Sequence, residues 1–378
     1  MRFETRALHA GTRPDKGYNA VSPPIYQSST FVYEDIGKNK GFSYSRAANP
    51  TRQLLEDTLA SLESGNAAFA FGSGMAAEST VTHLLKTGDH ILCVADMYGG
   101  TYRLLKDIMP AYGITSDFIH MNTAEEIERA IKPNTKMIWF ETPTNPLLNI
   151  VDISLIAGVA KKHKLISVLD NTFATPYFQE PLVMGIDISL HSLTKYLGGH
   201  SDVIGGAVIT ASEELAERVK YLQAGLGAIL GPFDSWLVLR GIETLAVRMK
   251  QHEANAMAVA KYLEGHPAVA RVRYPGLSGH PGYEIAAKQM SGFGGIVSFE
   301  PKKGLKGAES FLRKIKVFAL ADSLGGTHSL AESAMLQSHA TMSKEYRERV
   351  DIGDGLIRLS VGLENTEDLL EDLKQALM

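Results

Sequence analysis

Short apolar runs alternate with segments of helical spacing along the middle of the chain, and this alternation constrains the fold more than any other feature. Runs that are apolar on both faces are typical of buried parallel strands, and a helix makes the crossover between such strands. The pattern predicts a parallel, doubly wound α/β sheet. The predicted strands are 67–71, 90–95, 137–141, 165–170, 186–191 and 204–210, and the predicted helices are 51–63, 75–86, 101–112, 123–132, 152–164 and 213–224.

The pattern changes near residue 242, where a long helical segment over 243–264 begins. The elements beyond it predict a smaller α+β domain. We therefore divide the chain into an N-terminal arm (1–50), an α/β domain (51–242) and a connecting helix with a C-terminal α+β domain (243–378). In the last part we predict strands at 269–274, 295–300, 317–320 and 356–361, and helices at 306–315 and 366–377.

The N-terminal arm shows no helical period but is rich in aromatic side chains. Chain termini are usually mobile unless something holds them. This arm carries more aromatic surface than a terminus in water would be expected to expose. We therefore expect it to be docked, on another subunit. The aromatic residues are Tyr26, Phe31, Tyr33, Phe42 and Tyr44.

Charge and cysteine content exclude several classes of protein. The chain has 38 Lys and Arg against 42 Asp and Glu, a net charge of −4, which argues against nucleic acid or an anionic membrane as the main partner. Its one cysteine, Cys93, allows no intramolecular disulfide and no cysteine-based zinc site, and its predicted strand makes a core position more probable than a nucleophile. Neither a signal segment nor an apolar run of membrane-spanning length is present, so we expect a cytoplasmic protein.

Three motifs follow predicted strands, where ligands bind in open α/β sheets. Asp170 ends one strand, and Lys195 follows another, with Ser192 and Thr194 beside it. A glycine turn at 72–74 precedes a helix, and backbone N–H groups at a helix N-terminus bind anions. Each motif alone also has an ordinary explanation: a solvated lysine, a helix-capping aspartate and a tight turn.

Two readings compete for these motifs. The glycine turn with Ala77, and Asp96 further on, fits the Gly-x-Gly-x-x-Ala fingerprint of NAD-dependent Rossmann oxidoreductases, but about seventy residues precede it. That reading also leaves Asp170 and Lys195 without a role. A pyridoxal phosphate site uses all three motifs: the lysine forms a Schiff base, the aspartate pairs with the ring nitrogen, and the turn holds the phosphate.

The chain resembles, essentially from end to end, the Cys/Met-metabolism family of pyridoxal phosphate enzymes. The resemblance implies pyridoxal 5'-phosphate as cofactor and fold type I, the aspartate aminotransferase-like fold. The motifs that carry it are Tyr-Ser-Arg (44–46), Asn-Pro-Thr (49–51), Ser-Gly-Met (73–75), Asp-Met-Tyr-Gly-Gly-Thr (96–101), Glu-Thr-Pro-Thr-Asn-Pro (141–146), Asp-Asn-Thr (170–172), Ser-Leu-Thr-Lys (192–195), His-Ser-Asp (200–202), Ser-Leu-Gly-Gly (323–326) and Leu-Ile-Arg-Leu-Ser-Val-Gly (356–362).

The resemblance also implies a role for each site residue. Lys195 carries the cofactor and moves protons, Asp170 keeps the ring nitrogen protonated, and Tyr98 stacks on the ring and carries a proton. Tyr44 and Arg46 reach the phosphate from a neighbouring subunit, which implies a homotetramer built from dimers that share active sites. The other implied phosphate-site residues are Ser73, Gly74, Met75, Ser192 and Thr194, and the implied contacts to the α-carboxylate of a small amino-acid substrate are Arg358, Asn145 and Ser329.

The implied reaction is elimination or replacement at the γ-carbon of a sulfur or O-acyl amino acid. Our first expectation is cleavage of cystathionine to cysteine, 2-oxobutyrate and ammonia, with γ-replacement on O-acyl-homoserine or elimination from methionine as alternatives. Methionine γ-lyases typically carry a cysteine where this chain has Gly100. Cystathionine-processing members typically carry an acidic residue where it has His328. A non-catalytic relative is a further alternative, although Lys195 and Arg358 are both present.

The remaining histidines and one charge cluster have ordinary explanations. We interpret His191, His200 and His339 as packing or supporting residues, because no histidine spacing forms a metal triad. We therefore predict no metal site. The charged run at 344–349 is most simply a solvated helix face.

Overall fold

A computed structural model describes residues 1–11, 14–15, 17–337 and 342–378, and its central feature is a seven-stranded sheet. The strand order is β1-β7-β6-β5-β4-β2-β3. All the strands predicted between 67 and 210 are present, with shifted ends. The strands are β1 (Ala67–Phe71), β2 (His90–Val94), β3 (Thr115–Ile119), β4 (Thr135–Glu141), β5 (Ile166–Asp170), β6 (Ile188–Ser192) and β7 (Gly206–Thr210).

The sheet is mixed, so the expectation of an all-parallel sheet is wrong at one strand. β7 runs antiparallel to both β1 and β6, while the other pairs are parallel. The chain returns from Ser192 to Gly206 without an intervening helix, and the crossover between parallel strands usually contains one. β3 was not predicted from the sequence, because it is a half-exposed edge strand and several of its five residues are polar.

Helices connect these strands. Several begin at a residue whose side chain accepts a backbone N–H of the first turn, including Asn49, Ser73 and Thr123. The predicted helix over 101–112 is shorter than expected, because helical turns of other pitch replace it from Leu104 to Tyr112. The helices are α1 (Phe3–His9), α2 (Pro50–Leu62), α3 (Gly74–Thr82), α4 (Gly99–Arg103), α5 (Ala124–Ala130), α6 (Ile153–His163), α7 (Thr175–Phe178), α8 (Glu213–Leu226), α9 (Pro232–Ile242), α10 (Leu245–Glu264), α11 (Tyr283–Gln289), α12 (Gly304–Lys314), α13 (Lys344–Arg349) and α14 (Thr366–Ala376).

A second, five-stranded sheet lies in the C-terminal part of the chain, in the order β10-β11-β12-β9-β8. β12 pairs antiparallel with both β9 and β11, and α10, α12 and α14 contribute to the apolar core on this sheet. β11 was not predicted from the sequence. The strands are β8 (Val269–Arg273), β9 (Ile296–Pro301), β10 (Ala319–Leu320), β11 (Leu330–Ser333) and β12 (Ile357–Ser360).

The N-terminal arm is held at its base and exposed along its length. The expectation that its first fifty residues are irregular is wrong at α1, which packs on α2. Asn49 anchors the end of the arm by donating to the Tyr26 carbonyl at 2.9 Å. Tyr18 is 94% exposed and Ile36 is 98% exposed. Docking on a neighbouring subunit and the domain boundaries at 50 and 242 remain predictions.

The carboxyl ends of β4, β5 and β6 lie side by side, because Glu141 is paired with Asp170 and Asp170 with Leu190. One apolar core includes residues from both sides of residue 242, so the two sheets are packed into one structure. Among the described residues, no helix is both long and apolar enough to cross a membrane.

Candidate active site

The turn before α3 forms an anion-binding cradle. Ser73 caps the helix by accepting the N–H of Ala76 at 3.0 Å, which satisfies only one of the first-turn N–H groups. Those of Gly74 and Met75 are therefore available to a ligand. The turn lies directly against β7, because a Cβ at Gly206 would come within 2.2 Å of the Ser73 carbonyl oxygen. The Ser73 hydroxyl is therefore used to cap the helix, and its contact with the phosphate remains a prediction.

The three strand-end motifs meet at this cradle. The N–H of Thr172 donates to Asp170 at 2.9 Å, and the N–H of Ser192 donates to the Thr172 hydroxyl at 2.9 Å. A Cβ at Gly74 would lie 3.2 Å from the Ser192 Cβ. The fold therefore joins Asp170, Ser192 and the glycine turn through direct neighbours, as expected for the ends of adjacent strands.

Thr194 lies beside this chain of contacts but has partners of its own. Its hydroxyl accepts the N–H of Gly205 at 3.1 Å and donates to the Gly205 carbonyl at 3.3 Å. A phosphate contact would require the hydroxyl hydrogen to turn away from that carbonyl, and the bond it would leave is long. The phosphate role of Thr194 remains a prediction.

Lys195 projects into the interface between the two sheets. Its Nζ donates to the Ser323 hydroxyl at 2.7 Å. Burial, followed by the positive charge of Arg358, lowers the pKa of Lys195 to about 8. About a tenth of this amine is therefore unprotonated at about pH 7, far more than for an ordinary lysine, and only the unprotonated amine attacks an aldehyde. Ser323 has a φ of +90°, an unusual backbone conformation for serine.

Three carboxyl groups gather near the end of β5, of which Glu78 and Glu141 are buried and Asp170 is half-buried. Burial raises the pKa of Asp170 and of Glu141, which is paired with it across the two strands. Burial and the charge of Asp170 raise the pKa of Glu78 to about 8. At neutral pH the Glu78 carboxyl, with its pKa of about 8, is mostly protonated. Sequence reasoning identified only Asp170, although Glu141 ends β4 just as Asp170 ends β5, and Glu78 lies within a helix.

The unfolding free energy should reveal the raised pKa of Glu78. The folded pKa of Glu78, about 8, exceeds its unfolded value of 4.5. Its contribution to the free energy of unfolding is therefore complete below pH 4.5 and is lost as pH rises through 8. For the cofactor-free protein we expect about 3 kcal/mol of this contribution at about pH 6 and almost none at about pH 9. Urea unfolding at the two pH values measures the loss. Glu78→Gln should reduce it, and the exposed-site control Glu217→Gln should not; equal losses in the Glu78→Gln variant and the wild type would contradict the assignment.

Arg358 is buried on β12 at the centre of a hydrogen-bond network. Its Nη1 donates to the Asn145 side-chain oxygen at 2.8 Å, and its Nη2 donates to the Ser323 carbonyl at 3.0 Å. Nη2 also lies 2.9 Å from Glu332, which the sequence analysis did not single out. Because Ser323 contacts both Lys195 and Arg358, the amine and the guanidinium lie at one site.

Two other predicted substrate residues lie on the turn before β11. The Ser329 hydroxyl donates to Glu364 at 2.8 Å and accepts the N–H of Gly362 at 2.8 Å. These contacts hold the turn, and they use the hydroxyl hydrogen that a substrate would need. His328 is exposed, and its Nδ1 lies 3.2 Å from the Thr327 hydroxyl. The substrate roles of Ser329 and His328 remain predictions.

Tyr98 immediately precedes α4, and Gly100 makes room for its ring. The Tyr98 N–H donates to Glu141 at 3.1 Å, which ties its backbone to the carboxyl cluster. A Cβ at Gly100 would lie 2.4 Å from the Tyr98 ring and 2.9 Å from the Met75 sulfur. Any side chain at position 100 must therefore displace the ring.

We expect Gly100→Ala to lower kcat/KM by about tenfold, because it displaces the Tyr98 ring, for which stacking on the cofactor is predicted. Steady-state kinetics with the best substrate measures the effect. The matched control is Gly158→Ala, since nothing lies within 4 Å of a Cβ at that helical glycine. Equal kcat/KM for the Gly100→Ala variant and the wild type would show that the position of the Tyr98 ring is unimportant.

Tyr44 and Arg46 are exposed on the arm. Arg46 Nη1 donates to the Ala224 carbonyl at 2.5 Å, and its guanidinium carbon lies 5.6 Å from the centre of the Tyr44 ring. Their contact with the phosphate of a neighbouring subunit remains a prediction.

The other singled-out residues occupy supporting positions. His191 is buried and bonded through Nε2 to Glu63, and His200 Nδ1 lies 2.9 Å from the Gly198 carbonyl. Cys93 is buried within β2, and His339 lies outside the described residues. Within the described ranges, no group of three or more His, Cys, Asp or Glu side chains is arranged to hold a metal ion.

The donor set fits pyridoxal phosphate. The N-terminus of α3 suits the phosphate, Lys195 is an amine able to bind the aldehyde, and Asp170 is a half-buried acid for the ring nitrogen. The NAD reading fits less well. Its ribose-binding carboxylate, Asp96, is buried and already accepts from Thr144 and Asn149.

Comparison with known proteins agrees with this fit. The family model described as Cys/Met metabolism PLP-dependent enzyme matches residues 4–378. Cystathionine gamma-lyase from Bacillus subtilis is 50% identical over 377 residues, covering 100% of this chain and 99% of the relative. Cystathionine beta-lyase from Lactococcus lactis subsp. cremoris is 50% identical over 375 residues, covering 99% and 98%. Cystathionine gamma-synthase from Mycobacterium leprae is 47% identical over 375 residues, covering 99% and 96%.

A solved structure supports the same conclusion. Cystathionine gamma-lyase from Lactobacillus plantarum, in complex with L-serine, superposes with a TM-score of 0.97 at 47% identity and covers 100% of this chain and 98% of that one. These findings confirm the predicted fold type and cofactor and remove the oxidoreductase alternative. The chain belongs to the Cys/Met metabolism family of enzymes that depend on pyridoxal phosphate.

Proposed function

We propose that this enzyme eliminates the γ-substituent of a sulfur amino acid, with cystathionine as the substrate cleaved to cysteine, 2-oxobutyrate and ammonia. The observation that carries the proposal is the juxtaposition, through Ser323, of Lys195 and Arg358. Arg358 holds the carboxylate of the amino acid, and Lys195 is a base within reach of the carbons next to that carboxylate. Relatives named gamma-lyase at 50% and 47% identity support this choice.

Arg358 and Asn145 orient the substrate in this proposal. A guanidinium binds a carboxylate through two parallel hydrogen bonds, which positions the amino acid as well as holding it. Asn145 keeps the guanidinium in place from one side, since its side-chain oxygen accepts from Nη1. The site therefore selects substrates with a free α-carboxylate. Arg358 does not select the side chain of the substrate.

Lys195 moves the protons. When bound, pyridoxal phosphate supplies an electron sink for the carbon that bears the amino group. Lys195 removes the proton from Cα, and it must give that proton up before it removes a second one from Cβ, as departure of a γ-substituent requires. Its lowered pKa of about 8 suits an amine that both takes and returns protons near neutral pH. Tyr98 covers the site and is a second proton carrier.

Product analysis with L-cystathionine tests the reaction. Cysteine with 2-oxobutyrate supports γ-elimination. Homocysteine with pyruvate would instead assign β-elimination, the activity named for the Lactococcus lactis relative at 50% identity. Formation of cystathionine from an O-acyl-homoserine and cysteine, without cystathionine cleavage, would assign γ-replacement, the activity named for the Mycobacterium leprae relative.

His328 should set the preference for the distal end of the substrate. We expect His328→Glu to raise kcat/KM for cystathionine relative to O-acyl-homoserine by about tenfold, because a carboxylate attracts the distal ammonium of cystathionine. The exposed position of His328 allows the exchange without repacking. His328→Gln is the matched control, since it changes shape without adding charge. An unchanged ratio in the Glu variant would refute the role.

We also propose that the enzyme is a homotetramer built from dimers that share active sites. The exposed aromatic arm, with Tyr44 and Arg46, supports this assembly. Light scattering of the purified protein measures the mass, and a monomer that is fully active would exclude shared sites.

A further inference from the structure

Arg358 is neutralised before any substrate arrives. β11 and β12 pair antiparallel with Glu332 directly opposite Arg358. The Glu332 Oε2 lies 2.9 Å from Nη2, and the two side chains are only 2% and 3% exposed. A buried guanidinium without a counter-charge is strongly destabilising, so Glu332 permits Arg358 to be buried at the site.

The partners of the guanidinium are unevenly distributed over its three nitrogens. Arginine has five N–H groups, two on each Nη and one on Nε. Nη2 donates to the Ser323 carbonyl and forms the ion pair with Glu332, and Nη1 donates to Asn145. Nε is buried and has no partner in the structure. Nη2 is therefore the nitrogen that already faces a carboxylate, whereas Nε has a hydrogen to give.

A substrate carboxylate must compete for this guanidinium. Bidentate binding uses Nη2 together with either Nη1 or Nε, so each arrangement brings the substrate carboxylate to the nitrogen that already faces Glu332. The free Nε favours the second arrangement. In either arrangement the substrate carboxylate shares one guanidinium with the buried carboxylate of Glu332, and like charges at close range oppose each other.

We propose that Glu332 is a positioning residue that holds Arg358 in place before substrate binds and, by competing with the α-carboxylate, keeps the affinity for substrate and product low. The inference rests on the proposed function, which assigns the α-carboxylate to Arg358. Arg358 and Asn145 promote substrate binding, whereas Glu332 limits it.

The sign of a binding change distinguishes this role from a structural one. Glu332→Gln keeps an oxygen that accepts from Nη2 but removes the charge. We expect the Gln variant with its cofactor to bind propionate, a carboxylate without an amino group, at least about fivefold more tightly than the wild type. KM should fall by a similar factor while kcat does not rise. Damage to the site would weaken binding instead.

Propionate affinity is measured by the shift in melting temperature of the cofactor-loaded protein and by competitive inhibition. Asp322→Asn is the matched control, because Asp322 is an exposed acid near Lys195 that bonds to Gln337. Its propionate affinity should stay at the wild-type value. Glu332→Asp keeps the charge, and therefore the fold, but withdraws the carboxylate by one methylene from Nη2; we expect about twofold tighter binding. This variant decides the question if the Gln variant does not fold.

Equal or weaker propionate binding in the folded Glu332 variants would overturn the inference and leave the proposed function intact. Arg358→Met tests the premise separately. Wild-type propionate affinity in that variant would show that the carboxylate binds elsewhere, which overturns the inference together with the proposed role of Arg358.

Discussion

Replacing Lys195 with alanine should abolish turnover, with kcat lower by about four orders of magnitude. The reason is that one amine carries two functions, binding the cofactor covalently and moving protons at two carbons of the substrate. No described group can take its place at the Ser323 hydroxyl, where the 2.7 Å contact holds Nζ. The measurement is kcat with the best substrate, together with cofactor retention after dialysis.

An exposed lysine provides the control for this prediction. Lys220 lies on the solvent side of α8, and Lys220→Ala should leave both kcat and cofactor retention unchanged. Retention of the cofactor through dialysis by Lys195→Ala, with turnover above a hundredth of the wild-type rate, would remove Lys195 from its assigned role. A loss of fold is detected separately, by circular dichroism of the variant.

Replacing Asp170 with asparagine should lower kcat by about three orders of magnitude. The amide has nearly the same shape but no negative charge to stabilise a proton on the ring nitrogen, so the cofactor draws electrons less strongly. The N–H of Thr172 can still donate to the side-chain oxygen at position 170, which preserves the local structure. The measurements are kcat and the pH dependence of the absorption spectrum of the bound cofactor.

Asp107→Asn is the matched control, since Asp107 is exposed and lies beyond α4. It should behave as the wild type. Burial raises the pKa of Asp170 and of Glu141, which makes both groups easier to protonate than free carboxyl groups. If Asp170→Asn turned over substrate at the wild-type rate, the ring nitrogen would have to be held by another group of this cluster.

Local patterns were sufficient for most of the α/β fold. Apolar runs such as 165–170 appear as buried strands, and the motifs at their ends meet at one edge of the sheet. The failures have two sources. β3 and β11 contain polar residues and do not appear as apolar runs, and the direction of β7 is set by its pairing with β1 and β6. Apolar strands are recognisable from local composition, whereas polar strands and strand direction depend on neighbours in the sheet.

The candidate site divides in the same way. Lys195 and Asp170 were recognisable because their residue types follow strands, where ligands bind. Glu78 was not, because a carboxyl group within a helix looks like an ordinary solvated side chain until its burial is known, and Glu141 was passed over although it ends β4 as Asp170 ends β5. Ser329 shows the opposite case: the sequence predicts a substrate contact, but in the structure its hydroxyl bonds to Glu364 and Gly362. Hydrogen-bond partners more than thirty residues apart leave no local pattern.

The sequence by itself determined which side chains carry the chemistry and at which strand ends they stand, because apolar periodicity and chain order place those ends together. Only the tertiary structure decided which charges meet. Glu332 faces Arg358 through the register of β11 and β12, and Ser323 contacts both Arg358 and Lys195 across the two sheets. The physical reason is that register and burial arise from packing distant segments together, and a shift of one residue would turn Glu332 to the opposite face.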